Sequence, residues 1–293
     1  MKIGFIDHFI DEWHANNYPA MIRKSKLGRD FTVAMAWDEV QPAGKKPLAE
    51  WCRQQGIEPG KSIEHVVASC DCLMVLSPDN PECQQRLAEI PLRSGKPVYI
   101  DKPFTADGAA CAAAFATANR YHTPLMSCSS LRFTPKLTQT LQEKFAIHRP
   151  TFIATRGPGD FSTYAIHQLE MLVQCLGTGA RRIMRSGSAP FESMIVDYGD
   201  DRRGSILQAP DIPFGVTIGA REAGAVSLES LDGFFEAFID ELLRFFITRR
   251  SPIPSAETKE ILTLLDAGLR ARSTPDIWLN LAERSLTPGV DSL

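Results

Sequence analysis

The stretch Gly95-Lys96-Pro97-Val98-Tyr99-Ile100-Asp101-Lys102-Pro103-Phe104-Thr105 decides how the first part of this chain is read. Val98 to Ile100 is a short β-branched and aromatic run of the kind that suits a pleated, buried strand. It ends abruptly in an acid, a lysine and a proline, and Pro103 stiffens the backbone that carries the lysine. In an open α/β sheet, ligands collect outside the carboxyl ends of the strands, so Lys102 is expected where a substrate sits.

Outward from that turn, apolar runs recur at 3–6, 31–37, 72–77, 97–100 and 124–127. Helical stretches separate them, at about 15–26, 47–55, 62–69, 81–94 and 107–121. Alternation at this spacing means βαβ units and a parallel sheet with right-handed crossovers. Residues 109–118 are alanine-rich and strongly helix-forming, with Asp107 serving the first turn. After Thr123-Pro124 the pattern changes. Helices are expected over 134–145 and 161–176, with a strand at 151–155, and short β runs broken by turn residues fill 181–228. Two more helices, about 231–248 and 255–272, follow. The expected fold class is α/β. Residues 1–125 form a parallel-sheet domain, and 126–293 form an α/β domain with an open, largely antiparallel sheet and helices on one face.

Composition narrows the function. The 293 residues suffice for two ordinary domains, 44% of them apolar and 23% charged, with a net charge of −3. That balance argues against nucleic acid as a partner. No segment reaches the roughly 20 apolar residues of a membrane span, and no leader-like segment opens the chain, so the cytoplasm is the expected location. Seven cysteines, an odd number, suit a reducing compartment. Cys70-Asp71-Cys72 precedes an apolar run with no second ligand pair at zinc spacing, so ordinary structural thiols are expected. His8, Asp11 and His14 have conceivable metal spacing, but no further ligand pair accompanies them, and no metal is expected.

Several short motifs stand in order. Asp38 follows the second strand-like run, Ser77-Pro78-Asp79-Asn80 the next recognisable one, and Leu131-Arg132-Phe133 the last. A helix then carries Thr163-Tyr164-Ala165-Ile166-His167-Gln168-Leu169-Glu170. Together with Asp101-Lys102-Pro103 these resemble the glucose–fructose oxidoreductase/inositol dehydrogenase (Gfo/Idh/MocA) family over nearly the whole chain. Its Glu-Lys-Pro signature, ribose-binding acid, Thr-Pro-Asn turn and Asp-x-Gly-x-His-x-x-Asp motif occupy the corresponding places. The resemblance implies a Rossmann domain followed by an α/β domain whose open sheet often forms the oligomer interface. It implies a dinucleotide-dependent oxidoreductase acting on a sugar, polyol or similar small hydroxy or keto compound, assembled as a homodimer or tetramer. Lys102 and His167 take the catalytic places, Lys102 on the reacting oxygen and His167 as general base. NAD is favoured over NADP, because Asp38 would repel a 2′-phosphate.

Two departures qualify this. Where the family has Gly-x-Gly-x-x-Gly, this chain has Asp7-His8-Phe9-Ile10-Asp11-Glu12-Trp13-His14-Ala15-Asn16-Asn17, without a glycine. Glycines there allow the tight turn and the approach of pyrophosphate to a helix N-terminus. The loop places acids near an anion, although its histidines can donate to phosphate and Asn16 and Asn17 can cap the next helix. Thr163 stands where the family has a carboxylate one helical turn before its histidine, and Asp160 lies a further turn back. The candidate cofactor residues are therefore Asp7, His8, Phe9, Asp38, Ser77, Pro78, Asp101 and Lys102. Candidate substrate residues are Trp13, His14, Arg132, Thr163 and Tyr164, with a surface salt bridge as the alternative for Arg132. Two rivals remain open: a non-redox binding or regulatory paralogue with a filled nucleotide cleft, and an enzyme that holds NAD for transient oxidation.

Overall fold

A computed structural model describes residues 1–78, 80–105 and 108–281. Asp79 and Asp107, read above as turn and helix-start residues, lie outside the described residues. In chain order the elements are β1 (Lys2–Asp7), α1 (Trp13–Lys24), β2 (Thr32–Asp38), α2 (Leu48–Gln55), β3 (Glu58–Pro59), α3 (Ile63–Ser69) and β4 (Cys72–Val75). They continue with α4 (Pro81–Leu87), β5 (Val98–Ile100), α5 (Gly108–Arg120), β6 (Leu125–Met126), α6 (Pro135–Glu143), β7 (Phe152–Gly157) and α7 (Phe161–Leu176). The remainder are β8 (Arg182–Ser188), β9 (Phe191–Asp197), β10 (Arg203–Gln208), β11 (Gly215–Ala220), β12 (Gly224–Leu228), α8 (Phe234–Thr248), α9 (Ser255–Arg270) and β13 (Trp278–Asn280). The chain divides into two compact units, one of Met1–Pro135 with Gly233–Leu262, the other of Lys136–Asp232 with the chain from Thr263.

The first unit holds a parallel sheet in the order β3-β2-β1-β4-β5-β6. Its strands read as continuous apolar runs because helices cover both faces. Cys72 to Val75 is wholly buried, as are Val98 to Ile100. Strand order reverses between β1 and β4, which makes that point the crevice where such sheets take ligands. Register fixes what lines its edge: Asp7 pairs with Asp38, and Val75 pairs with both Ile6 and Ile100. The residues that follow these strands therefore emerge together. Gly4 is needed for close packing, since a Cβ there would lie 2.4 Å from Val66 Cγ1 of α3.

The first unit is larger than 1–125. The sequence pattern groups 231–248 with the second domain, whereas Phe238, Ile239, Leu242, Leu243, Phe245 and Phe246 of α8 are buried in the core of the first. Phe246 faces Phe31, and Phe238 packs against both Tyr18 and Tyr99 with ring centroids 5.9 and 5.4 Å away. Helical periodicity shows which side chains are buried but not which sheet receives them. Two further differences are local. The helix expected over 81–94 stops at Leu87, and a 3-10 turn begins at Pro91, whose missing N–H cannot continue a helix. β3 and β13, of two and three residues, are too short to show alternation.

The second unit is built on a sheet ordered β12-β11-β7-β10-β9-β8-β13. Only β7 and β10 run parallel; every other neighbouring pair is antiparallel. α7 lies against β7 and β10. Leu169, Leu172 and Val173 form its buried stripe, and Gly204 of β10 makes room for Leu172, which a Cβ would meet at 2.6 Å. No helix among the described residues is long and apolar enough to cross a membrane.

Candidate active site

The carboxyl edge of the first sheet gathers most of the polar residues singled out above. Asp101 leaves β5 fully buried, with both oxygens engaged. Oδ1 accepts from its neighbour's backbone, Lys102 N, at 2.8 Å and lies 3.2 Å from the Tyr99 hydroxyl. Oδ2 forms a short contact with His14 Nδ1. Burial alone would raise the Asp101 carboxyl, but the His14 imidazole and the Lys102 ammonium outweigh it and hold the group below the usual carboxylate range. His14 is the mirror case. Burial would lower it, and the charge and hydrogen bond of Asp101, with Glu12 behind them, keep it above the ordinary imidazole value. The His14 ring stacks on Tyr18 at 4.9 Å and an interplanar angle of 5°, and meets the edge of Trp13 at 5.4 Å. Lys102 follows on a cis Lys102–Pro103 peptide, close enough for its charge to act on both His14 and Asp101.

The glycine-free loop is tied down by its own side chains. α1 starts at Trp13, earlier than the pattern suggests, and its cap is Glu12 rather than Asn16 or Asn17. The Glu12 carboxylate accepts from the His14 N–H at 2.6 Å and from the Ala15 N–H. A carboxylate thus occupies the helix N-terminus where a phosphate would sit in a glycine-loop site. Burial pushes the Glu12 carboxyl up to about 7. Asn16 lies inside the helix, donating to Asp11 Oδ1 at 3.0 Å and accepting from the Trp51 indole at 2.7 Å. Asp7 is buried, and burial followed by the nearby Glu12 raises it well above the carboxylate range; it accepts from the His8 and Ser77 backbones. Ser77 is turned inward, with φ of +71° and its hydroxyl on the Asn80 carbonyl. Pro78 is partly buried beside it.

Asp38 is half-buried and accepts the Ile10 N–H at 3.2 Å, so it already braces the loop. His8 Nδ1 lies 2.8 Å from Glu39 Oε2, and Arg86 pairs with the same carboxylate. His8, Glu39 and Cys83 offer donor atoms within 4.8 Å of one another, a different grouping from His8, Asp11 and His14. Lys45 Nζ sits 5.0 Å from the Phe9 ring centre and donates to the Asp11 carbonyl, and Lys46 N donates to the Asp11 carboxylate. The loop thus has a rim of His8, Lys45, Lys46 and Arg86, each engaged by Asp11 or Glu39.

The remaining candidates are placed differently. Trp13 is 49% exposed and packs on Phe235 at 4.9 Å. Arg132 is buried in an ion pair with Glu257. In the second unit, His167 on α7 is half-buried between the rings of Tyr164 and Phe214, at 5.8 and 5.6 Å. Tyr164 lies over Gly159, whose φ of +79° and lack of a Cβ admit the ring. Thr163 is exposed. All seven cysteines are buried, and none forms a disulfide. A cavity of about 480 Å³ between α4 and α5, lined by Gln84, Arg86, Phe104 and Ala114 among others, includes none of the candidate residues.

Sequence reading missed Glu12 as a cap, Tyr18 and Tyr99 as the frame around His14 and Asp101, and Phe238 behind both. Glu12 carried a local signal: it stands directly before the helix, with its carboxylate in reach of the first N–H groups. The aromatic frame had none, because it joins α1, β5 and α8.

No protein-family model and no curated protein matches the chain. Solved structures do match it in fold. A probable dehydrogenase from Thermotoga maritima superimposes with a TM-score of 0.80 at 14% identity, covering 97% of this chain and 99% of that one. Scyllo-inositol dehydrogenase from Lactobacillus casei, with bound NAD(H) and scyllo-inositol, gives 0.78 at 14% identity, covering 96% and 99%. An oxidoreductase from Agrobacterium radiobacter, in complex with NAD+, L-tartaric acid and magnesium, gives 0.75 at 14%, covering 97% and 99%. The chain shares their fold over 96–97% of its length.

Proposed function

We propose that the protein is an NAD-dependent oxidoreductase of the Gfo/Idh/MocA type, acting on a small hydroxy or keto compound of the sugar or polyol class. One observation carries this reading. Lys102 stands just past the carboxyl end of β5, at the ligand-taking edge of the sheet, braced by buried Asp101. Solved proteins of this fold hold NAD(H) with an inositol or NAD+ with a hydroxy acid.

The residues fit a dinucleotide in altered form. Asp38 stands at the end of β2 for a ribose, and its charge favours NAD over NADP. Lys45, Lys46 and Arg86 are the side chains that would take over the phosphate contacts backbone N–H groups give elsewhere, exchanging Asp11 and Glu39 for the phosphate. Glu12 is compatible with a phosphate when it carries a proton, and its value of about 7 makes that form abundant at neutral pH. When bound, the nicotinamide accepts a hydride. Lys102 hydrogen-bonds the reacting oxygen and stabilises its developing negative charge. Trp13 is assigned to the substrate side of the first unit, and a substrate role for Tyr164 and Thr163 rests on the resemblance alone. His167 as proton acceptor rests on the resemblance alone, as do a homodimeric or tetrameric state and a cytoplasmic location. Arg132 is assigned to its ion pair with Glu257 rather than to substrate.

A second reading, a non-redox binding protein, is favoured by one observation: the Glu12 carboxylate already holds the α1 N-terminus. Calorimetric titration of nucleotide-stripped protein with NADH and NADPH, at pH 6 and pH 8, separates the two. Micromolar binding of either, tighter at pH 6, supports the oxidoreductase. No binding of either at millimolar concentration overturns it in favour of the second reading.

A further inference from the structure

We infer that His14 and Asp101 form the acid–base dyad of this site, with His14 Nε2 taking the proton from a substrate hydroxyl held by Lys102. The inference deepens the oxidoreductase reading and rests on it for the redox half of the reaction. It assigns the proton to a residue of the first loop instead of to His167.

The geometry is that of an oriented base. Asp101 is 1% exposed, and its carboxylate is pinned by Lys102 N, Tyr99 and His14. An ionised carboxylate only accepts, so Nδ1 of His14 donates to it and the neutral ring keeps its lone pair on Nε2. The His14 side chain retains 12% exposure, and Nδ1 alone is engaged by Asp101. Stacking on Tyr18 and the edge of Trp13 fix the ring plane, and buried Phe238 supports Tyr18 and Tyr99 from behind. Asp101 and Lys102 are consecutive, so the group that orients the base and the group that polarises the oxygen share one turn.

A purely structural role explains less. A buried ion pair is weak evidence of stabilisation, since desolvation offsets much of its Coulomb energy. The charged or titratable groups around His14 are Asp101 from β5, Lys102 from the turn, Glu12 at the loop end and Tyr18 from α1. Asp101 dominates the attractive influences. In the oxidation direction the substrate O–H bond breaks and its proton goes to Nε2. Its electron pair closes the C=O bond, and a nicotinamide, when bound, would supply the acceptor for the C–H pair as hydride. The dyad returns the proton to solvent or, in reduction, to the new hydroxyl.

The test uses wild-type protein with His14→Gln, Asp101→Asn and His167→Gln, each checked for fold by circular dichroism. Diethylpyrocarbonate labelling, mapped by mass spectrometry across pH, reads Nε2 directly and needs no substrate. His14 is expected to be modified, with a midpoint that Asp101→Asn lowers. NADH affinity is measured on the same proteins, and turnover is screened over a panel of polyols and sugars with NAD+. His14→Gln is expected to keep NADH affinity within about threefold and to lose about 10²-fold or more in kcat. His167→Gln is expected to act mainly on KM. An unmodified His14 beside labelled His148, or full kcat in His14→Gln, overturns the dyad. Loss of NADH binding in wild type overturns the redox reading alone, and the labelling result then decides the dyad by itself.

Discussion

His14 and His167 are set by opposite means. His14 is framed from three elements, two of them distant in the chain: a carboxylate just after β5, the Tyr18 ring one turn along its own helix, and Phe238 of α8 behind the tyrosines. His167 is framed by rings of its own unit, with exposed Thr163 one turn before it on the same helix. One histidine is gripped by tertiary structure around a buried charge, and the other is flanked by aromatic edges. A buried carboxylate fixes the tautomer, orientation and charge of an imidazole together, whereas aromatic edges fix its place. The glycine-free stretch that leads into α1 therefore carries the more constrained histidine.

The comparison breaks most readily at the aromatic supports. Phe238→Ala removes a fully buried ring and should cost about 3–5 kcal/mol, measured by urea unfolding. It should also loosen Tyr18 and Tyr99, so that the pH midpoint of His14 labelling falls toward that of Asp101→Asn. Phe214→Ala removes a partly exposed ring and should cost about 1 kcal/mol, in the range of ordinary substitutions. Equal losses at the two positions would show that the two histidines are held alike.

Much of this was legible in the sequence, and what was not shares a physical cause. Val98 to Ile100, Cys72 to Val75 and Ile3 to Ile6 announced buried parallel strands through their own composition, and the helix over 161–176 was expected where α7 stands. Lys102 and Asp101 were legible because strand ends and prolines are local signals. The partnership of Asp101 with His14 was not. It joins positions 87 residues apart, and no periodicity links a loop after β1 to the end of β5. The placement of α8 failed for the same reason: its aromatics declared a buried face, and the sheet they meet is chosen by tertiary packing. Asp38 was read as a ribose-binding acid, and the Ile10 N–H it holds belongs to a glycine-free loop whose path no local signal draws.

A second contrast lies in the acids near each histidine. Glu12 is buried beside His14 and pushed up to about 7, so the folded protein binds its proton well above the ordinary carboxyl value of 4.5. The folded state therefore holds more protons than the unfolded state between about pH 4.5 and 7, and stability falls as pH rises through that window. Asp7 and His14, both raised, act in the same direction. Glu12→Gln should flatten the decline between pH 5 and pH 8 by on the order of 2 kcal/mol without abolishing it, measured by urea unfolding at each pH. An unchanged slope would mean that Glu12 is charged throughout. NADH affinity should rise in the same variant at pH 8, because the neutral amide no longer opposes a diphosphate at the helix end.

The smallest effect is the most direct probe of the second histidine. Thr163→Asp places a carboxylate four residues before His167, on the same face of α7 and in its first turn. Such a pair stabilises a helix by about 0.3–0.5 kcal/mol, and exposure at position 163 keeps the interaction near that level. The His167 titration, followed by NMR, should therefore move up by a few tenths of a pH unit, with helix stability slightly increased by an acid near the N-terminus. The shift should shrink in high salt, since an exposed pair is screened within about 10 Å at ordinary ionic strength. At His14 the corresponding carboxylate is buried, so its influence on the imidazole should persist in high salt. A salt-insensitive shift at His167 would mean that its surroundings are as dry as those of His14, and the difference between the two histidines would then lie in which acid each has been given.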